Sequence, residues 1–229
     1  MGIADRIKTD GRAVHEPLVD EADPVANAAA RLGIPEREMT PRVRIGIAAL
    51  TGEVARLQRE VEAGRKKLLD AERAANQDTL LPVLNRRAFV REIARFIAFS
   101  ERYGTPASLV YFDLDGFKNV NDAHGHAAGD AVLHHFAGLL ASHVRNTDAV
   151  GRLGGDEFGI VLAHASLDQA HLKGETLIKA LSDAPPRWQS NPVTVTFSYG
   201  AYELRAGENA DAAMANADLA MYANKRERV

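Results

Sequence analysis

The chain has 229 residues, 46% hydrophobic, 26% charged and 6% aromatic, a soluble globular composition with room for one full domain and a smaller element beside it. Its 28 Lys and Arg stand against 31 Asp and Glu, a net charge of -3, so no overall basic field exists to bind nucleic acid. The absence of cysteine excludes disulfides, thiolate zinc sites and a cysteine nucleophile; no apolar run approaches the roughly 20 residues of a membrane span and the first residues lack a signal-peptide core, so a cytoplasmic location is expected.

Residues 1–40 are weakly patterned and partly acidic, with Asp10, Glu16, Asp20, Glu21 and Asp23. One short helix is expected from Asp23 to Leu32, because Asp23 suits its N-cap, Pro24 its first turn, and Gly33 and Pro35 stop it. The segment reads either as a flexible tail with one docked helix or as the binding segment for an unidentified protein partner.

Residues 41–77 change character. Thr40 and Pro41 open a helix in which Ile47, Val54, Val61, Leu68 and Ala75 recur as a positions and Leu50, Leu57, Gly64 and Ala71 as d positions. A stripe of that period predicts a coiled coil, and β-branched residues at a with Leu at d favour two strands. Parallel in-register pairing sets Glu53 against Gln58, Glu60 against Arg65 and Lys67 against Glu72, with no repulsive pair. The alternative is a long helix packed on its own domain, for which a 3.5-residue stripe is narrow. Gly64 softens the middle of the seam.

Residues 78–229 alternate between helical and strand patterns. A helix capped by Asn85 runs to about Arg102, then a buried strand over Ala107–Asp113 and a helix over Gly129–Val144. Strands over Asp148–Leu153 and Glu157–Ala163 meet across Gly154-Gly155-Asp156, a hairpin signal. A helix over Leu167–Leu181, a Pro-containing connection over Asp183–Ser190, a strand within Val193–Leu204 and a helix over Ala210–Lys225 complete the chain. The order contains the split βαβ pattern of ferredoxin-like folds.

Two segments carry chemistry. Phe112-Asp113-Leu114-Asp115-Gly116-Phe117-Lys118 brings a carboxylate to the end of an apolar strand, with a lysine five residues later. Gly154-Gly155-Asp156-Glu157-Phe158 places two glycines, whose N–H groups can approach a phosphate, beside two consecutive acids. Hard oxygen ligands together with phosphate imply Mg²⁺. In a split βαβ fold the first strand pairs beside this hairpin, so Asp113, Asp156 and Glu157 are expected to share one metal site.

Gly154–Phe158 spells the signature of the GGDEF domain, the catalytic domain of diguanylate cyclases, and the resemblance extends over about two thirds of the chain. Asn85-Arg86-Arg87-Ala88-Phe89 resembles the family's first helix, and Phe112–Asp130 its metal and guanine segment. Thr196–Gly200 and Ala217–Lys225 resemble its later strand and final helix. The resemblance implies an α/β fold with a ferredoxin-like, nucleotidyl-cyclase palm-like βαββαβ core, preceded by the long helix of a parallel dimeric coiled coil. It implies the condensation of two GTP to cyclic di-GMP and two pyrophosphates. It further implies Mg²⁺ (two per half-site, with Mn²⁺ as a substitute) held by Asp113, the Leu114 carbonyl, Asp156 and Glu157. The last two share metal and base duties. Phe117 and the glycines Gly154 and Gly155 would meet the triphosphate through backbone N–H groups, with Lys118 and Lys225 as phosphate cations. Asn121 and Asp130 match the guanine readers; guanine N1–H and the 2-amino group are donors a carboxylate accepts from, and adenine lacks them there. Arg145-Asn146-Thr147-Asp148 ends five residues short of Gly154, the offset of the family's product-inhibition site. Each domain would hold one GTP, so two must face each other, and the coil supplies a homodimer.

The sequence departs from the family at two places. Where the family has Asp-x-Leu-Thr-Gly, this chain has Asp78-Thr79-Leu80-Leu81-Pro82, and Pro82 is expected to stiffen the joint after the coil. After Lys225 the chain reads Arg226-Glu227-Arg228-Val229, without the arginine usual four residues on; Arg226 or Arg228 would have to substitute. His124 and His126 are read as turn and packing residues, and Trp188 as a packing anchor.

Overall fold

The computed structural model describes residues 23–227; the acidic positions before Asp23, and Arg228, lie outside them. The chain divides between Leu68 and Leu69 into two compact units.

In the first unit, helix α1 (Pro24–Arg31) starts as expected: the Asp23 carboxylate accepts from the N–H groups of Val25 and Ala26 at 2.9 and 3.1 Å. Gly33 follows at φ 70°, the left-handed conformation that ends helices. Helix α2 (Pro41–Asn76) is 36 residues long and belongs to this unit up to Leu68. Of its apolar stripe Ile47 is buried, while Leu50, Val54, Leu57, Val61 and Leu68 are 46–68% exposed. Arg56 bonds Glu53 at 2.6 Å and also Glu60 along the helix surface.

The second unit carries α3 (Arg86–Tyr103), β1 (Ala107–Asp115), α4 (Phe117–His124), α5 (His126–Ser142), β2 (Ala149–Arg152) and β3 (Glu157–Ala163). After these come α6 (Leu167–Asp183), β4 (Arg187–Trp188), β5 (Asn191–Pro192), β6 (Thr196–Glu203) and α7 (Ala210–Glu227). The main sheet has the order β2-β3-β1-β6 with every neighbouring pair antiparallel. That is the split βαβ arrangement, with β3 lying between β1 and β2. Side chains alternate across the sheet. On one face Val110, Phe112, Leu114, Phe158, Ile160 and Phe197 pack under α5 and α6; on the other Leu109, Tyr111 and Val161 pack under α3 and α7.

The structure corrects the sequence reading in three places. The segment after β1 is a helix, α4, because Gly116 at φ 72° turns the chain straight off the strand. Only Val120 of its 8 residues is buried, too little periodicity to read. The next helix starts at His126 rather than Gly129, so Asp130 lies within α5. The connection after α6 contains a small hairpin, β4–β5, turning through Gln189 and Ser190 at φ 48° and 68°. At the altered joint, Leu81 is 2% exposed and belongs to the core, whereas Pro82 is exposed. The substitution at 81 thus extends the apolar core.

Candidate active site

The rigid floor of the site is aromatic. Phe112 and Phe158 are fully buried. The rings of Phe136 and Phe158 lie 5.1 Å apart and those of Phe112 and Phe197 5.5 Å apart, both near edge-on, a favourable aromatic geometry. Each anchored phenylalanine adjoins an acid. Phe112 fixes Asp113, Phe158 fixes Glu157, and the strand register sets Asp113 directly opposite Glu157. Like charges on facing strand positions repel, so the pair calls for a cation.

The hairpin tip is bonded on several sides. The N–H groups of Leu153 and Gly154 donate to the Glu157 carbonyl at 2.8 and 3.3 Å, and Leu114 N–H donates to the Asp156 carbonyl at 3.2 Å. The Arg152 guanidinium donates to the Gly154 carbonyl at 3.0 Å, the Gly155 carbonyl at 2.7 Å and Asp78 Oδ1 at 3.1 Å. Asp78 Oδ1 also accepts from Leu80 and Leu81 N–H at 3.0 and 3.1 Å. From α3, Arg86 donates to the Leu153 carbonyl at 3.1 Å. Residues 78, 86 and 152 therefore hold one turn. Sequence reading missed the role of Arg152, since one arginine at a strand end carries no motif of its own. A Cβ at Gly154 would collide with the Glu157 carboxylate, so glycine leaves room for that acid to fold back over the turn.

The cations come from two helices. Lys225 on α7 bonds Asp113 and lies 3.2 Å from Asp115. Its ammonium is held above the usual lysine range, chiefly by the Asp113 hydrogen bond and against the effect of burial. The end of α7 is pinned to β6 by Asn224, which donates to the Tyr199 carbonyl at 2.9 Å. A Cβ on Gly200 would run into the α7 backbone, so the absence of one lets the helix approach. Lys118 is exposed on α4. The first N–H groups of that helix, Phe117 and Lys118, have no acceptor within it, the usual state of a helix N-terminus and one suited to anions. Beside Glu157, the Tyr111 phenol is pushed well above its ordinary pKa, first by burial and then by the Glu157 charge.

Asn121 and Asp130 are brought together by the packing of α4 on α5. The Asn121 amide lies over Gly129, where a Cβ would strike its Oδ1. Asp130 is exposed one residue further on. The Asn121 amide thus lies against the residue that precedes Asp130 on α5.

Among the described residues no three acidic or imidazole side chains converge on one metal position. The side chains expected to hold the metal are those of Asp113 on β1 and of Asp156 and Glu157 at the hairpin beside it. The donors are all oxygen, with Asp113 already holding the Lys225 ammonium. A carboxylate that takes a cation in this position fits a hard divalent ion.

Arg145 and Asp148 lie between α5 and β2. The Asp148 carboxylate accepts from Arg145 N–H at 2.9 Å and Ala163 N–H at 3.0 Å, while Arg145 is exposed. Both residues line a depression of about 280 Å³ together with Gln77, Pro82 and Asn146. His124 and His126 flank Gly125 at the helix junction and are exposed. Trp188 is half-buried against the core, as expected of an anchor.

Comparison with known proteins places this geometry among relatives. The profile of the family described as diguanylate cyclase, GGDEF domain, matches residues 75–229. The probable diguanylate cyclase DgcE of Escherichia coli is 36% identical over 168 residues, 72% of this chain and 15% of its own. Diguanylate cyclase DgcP of Pseudomonas aeruginosa is 32% identical over 191 residues, 83% of this chain and 28% of its own. The chain thus spans less than a third of either of these curated relatives. Among solved structures, the coiled coil and GGDEF domain of DgcB from Caulobacter crescentus, in complex with c-di-GMP, superimposes with a TM-score of 0.71 at 30% identity. That likeness covers 78% of this chain and 95% of that one.

Proposed function

The chain belongs to the GGDEF-domain family of diguanylate cyclases, and from that premise we propose that it condenses two GTP into cyclic di-GMP, releasing two pyrophosphates. The observation that carries the reading is the strand register that sets Asp113 opposite Glu157 of the braced hairpin.

Each half-site binds one GTP. Asn121 and Asp130 accept from the guanine edge, and loss of those acceptors' partners disfavours ATP. The N–H groups of Phe117, Gly154 and Gly155, with Lys118 and Lys225, hold the triphosphate. Asp113, the Leu114 carbonyl, Asp156 and Glu157 would hold Mg²⁺, two ions per half-site, or Mn²⁺ in its place. When bound, the metal supplies neutralisation of triphosphate charge and acidifies the attacking hydroxyl. A signature carboxylate takes the proton of one nucleotide's 3'-hydroxyl. That oxygen bonds the α-phosphorus of the nucleotide opposite, the bond to the β-phosphate oxygen breaks, and pyrophosphate leaves. Lys118 and Lys225 face the negative charge that grows on the leaving group. A second, reciprocal attack closes the ring.

Two half-sites need two chains. The exposed stripe of Leu50, Val54, Leu57 and Val61 supports a parallel homodimeric coil that keeps the catalytic domains at high effective concentration. The exposed guanidinium of Arg145 beside the fixed Asp148 supports product binding there, as a brake. An unidentified protein partner of residues 1–40 or of the coil is also part of this reading. GTP as substrate is consistent with a cytoplasmic location, and among the described residues no helix is long and apolar enough to cross a membrane.

Incubation of the full chain with GTP and Mg²⁺, followed by chromatography, tests the reading. Cyclic di-GMP is expected to accumulate and then plateau, with product lost in the Asp156→Ala, Glu157→Ala double variant. GTP bound without turnover would replace the enzyme by a nucleotide-binding module. Unbound GTP would remove the site altogether.

A further inference from the structure

We propose that Asp115 is a positioning residue, a fixed anchor that retains the Lys225 ammonium when Asp113 gives it up for a divalent cation. The proposal rests on the reading of Asp113 as a cation ligand.

Asp113 and Asp115 are two residues apart on β1, so their side chains leave the same face of the sheet. Lys225 spans both. The two carboxylates are held very differently. Asp113 bonds Lys225, and no other hydrogen bond to its carboxylate occurs among the described residues. Asp115 accepts from Ser198 Oγ at 3.0 Å on Oδ1 and 3.2 Å on Oδ2, and from Thr196 Oγ1 at 3.3 Å on Oδ2. Both hydroxyls come from β6, whose register sets Ser198 opposite Asp113 and Thr196 opposite Asp115. Ser198 is 2% exposed, so its hydroxyl has no competing water. The Asp115 carboxylate is therefore locked in rotation, with Oδ1 turned to Lys225.

This asymmetry suits an exchange. A cation arriving at Asp113 repels the ammonium. Lys225 has a flexible four-carbon stem and a compact charge, and its helix is fixed by Asn224 and Gly200. It can therefore move wholly to Asp115 without any movement of α7. There it stays beside the site, aimed at phosphate, instead of swinging into water. Without the anchor, every metal-binding event would cost the site its lysine.

The test uses the full chain labelled with ¹⁵N at lysine Nζ. An ammonium resonance persists when a hydrogen bond slows its exchange with water, and the signal of Lys225 is identified by its absence from Lys225→Met. Without a divalent cation, wild type, Asp113→Asn and Asp115→Asn are each expected to show it, since one carboxylate remains. On addition of Mg²⁺ alone the signal is expected to shift but survive in wild type, and to vanish in Asp115→Asn. Ser198→Ala, which keeps the charge but frees the carboxylate, is expected to broaden it. Loss of the signal in wild type with Mg²⁺, or its survival in Asp115→Asn, overturns the anchor. No response to Mg²⁺ in either protein overturns the exchange and the Asp113 ligand assignment together, whereas the GTP assay above decides the activity separately. In that assay Asp115→Asn added to Lys225→Met is expected to cost no further kcat, because the first residue acts through the second.

Discussion

Replacing Arg152 by alanine removes the residue that joins the segment after the coil to the signature turn. Its guanidinium makes bonds of 2.7, 3.0 and 3.1 Å to the Gly155 carbonyl, the Gly154 carbonyl and Asp78. The side chains of the ion pair are 16% and 17% exposed, too buried for water to replace the contacts fully. Hydrogen bonds to a charged group contribute about 1.5–3 kcal/mol each in favourable cases. The two glycine carbonyls are freed at the surface, and Asp78 keeps its bonds to Leu80 and Leu81, so a net loss of about 2–3 kcal/mol is expected. For a chain of this size that lowers Tm by roughly 5–10 °C. The larger effect is on turnover. The turn that carries Asp156 and Glu157 keeps its bonds to β1 but loses its brace, and a displacement near 1 Å costs on the order of 100-fold in rate. Asp78→Asn separates the two functions, because it breaks the ionic half of the link and leaves Arg152 on the glycine carbonyls. It is expected to cost about 1 kcal/mol and to leave kcat within about threefold of wild type. Thermal unfolding and cyclic di-GMP production, measured well below Tm, check both. Wild-type kcat in Arg152→Ala with a lowered Tm would refute the brace and leave Arg152 a purely structural residue.

Three other outcomes follow from the geometry. Gly129→Ala places a methyl group against the Asn121 amide; KM for GTP is expected to rise about tenfold for the loss of one hydrogen bond, with a stability cost of about 1–3 kcal/mol from crowding. In Tyr111 the folded state holds the phenolic proton above the ordinary range, so the unfolded chain releases it first as pH rises. The stabilisation is complete below pH about 10 and is lost as pH climbs towards the folded value; Tyr111→Phe is expected to flatten the fall in urea stability above that pH. Leu57→Asp with Val61→Asp puts charges on the exposed stripe of α2. Sedimentation is expected to show monomers, and specific activity is expected to rise with protein concentration where wild type is constant.

Most of the fold was legible because it is written in periodicities. The apolar runs Ala107–Asp113 and Glu157–Ala163 appear as the central strands β1 and β3, with β1 extending to Asp115. Asn85 and Asp23 cap the helices they were expected to cap. The misses share a cause. In α4 one buried valine in 8 residues leaves no stripe, and Asn, Asp and Gly around it are the residues of turns. The short β4–β5 hairpin is held by two-residue strands, below the length at which alternation carries information.

The site was legible in its residues and hidden in its connections. Strand alternation alone tells that Asp113 and Asp115 share a face, and the hairpin tells that Glu157 is near. What it does not tell is which cation each acid holds, since that depends on where a helix more than a hundred residues later comes to rest. The position of α7 is decided by a backbone approach over Gly200 and by one amide from Asn224, neither of which has a signature. The same holds for Arg152, whose partners at 78, 154 and 155 meet only after β2 has paired with β3. A motif therefore marks where the reactive groups are attached, while the buttresses that hold them still are distributed through the fold. For that reason the changes most able to separate binding from turnover are expected at Arg152 and Asp115, outside the five signature residues.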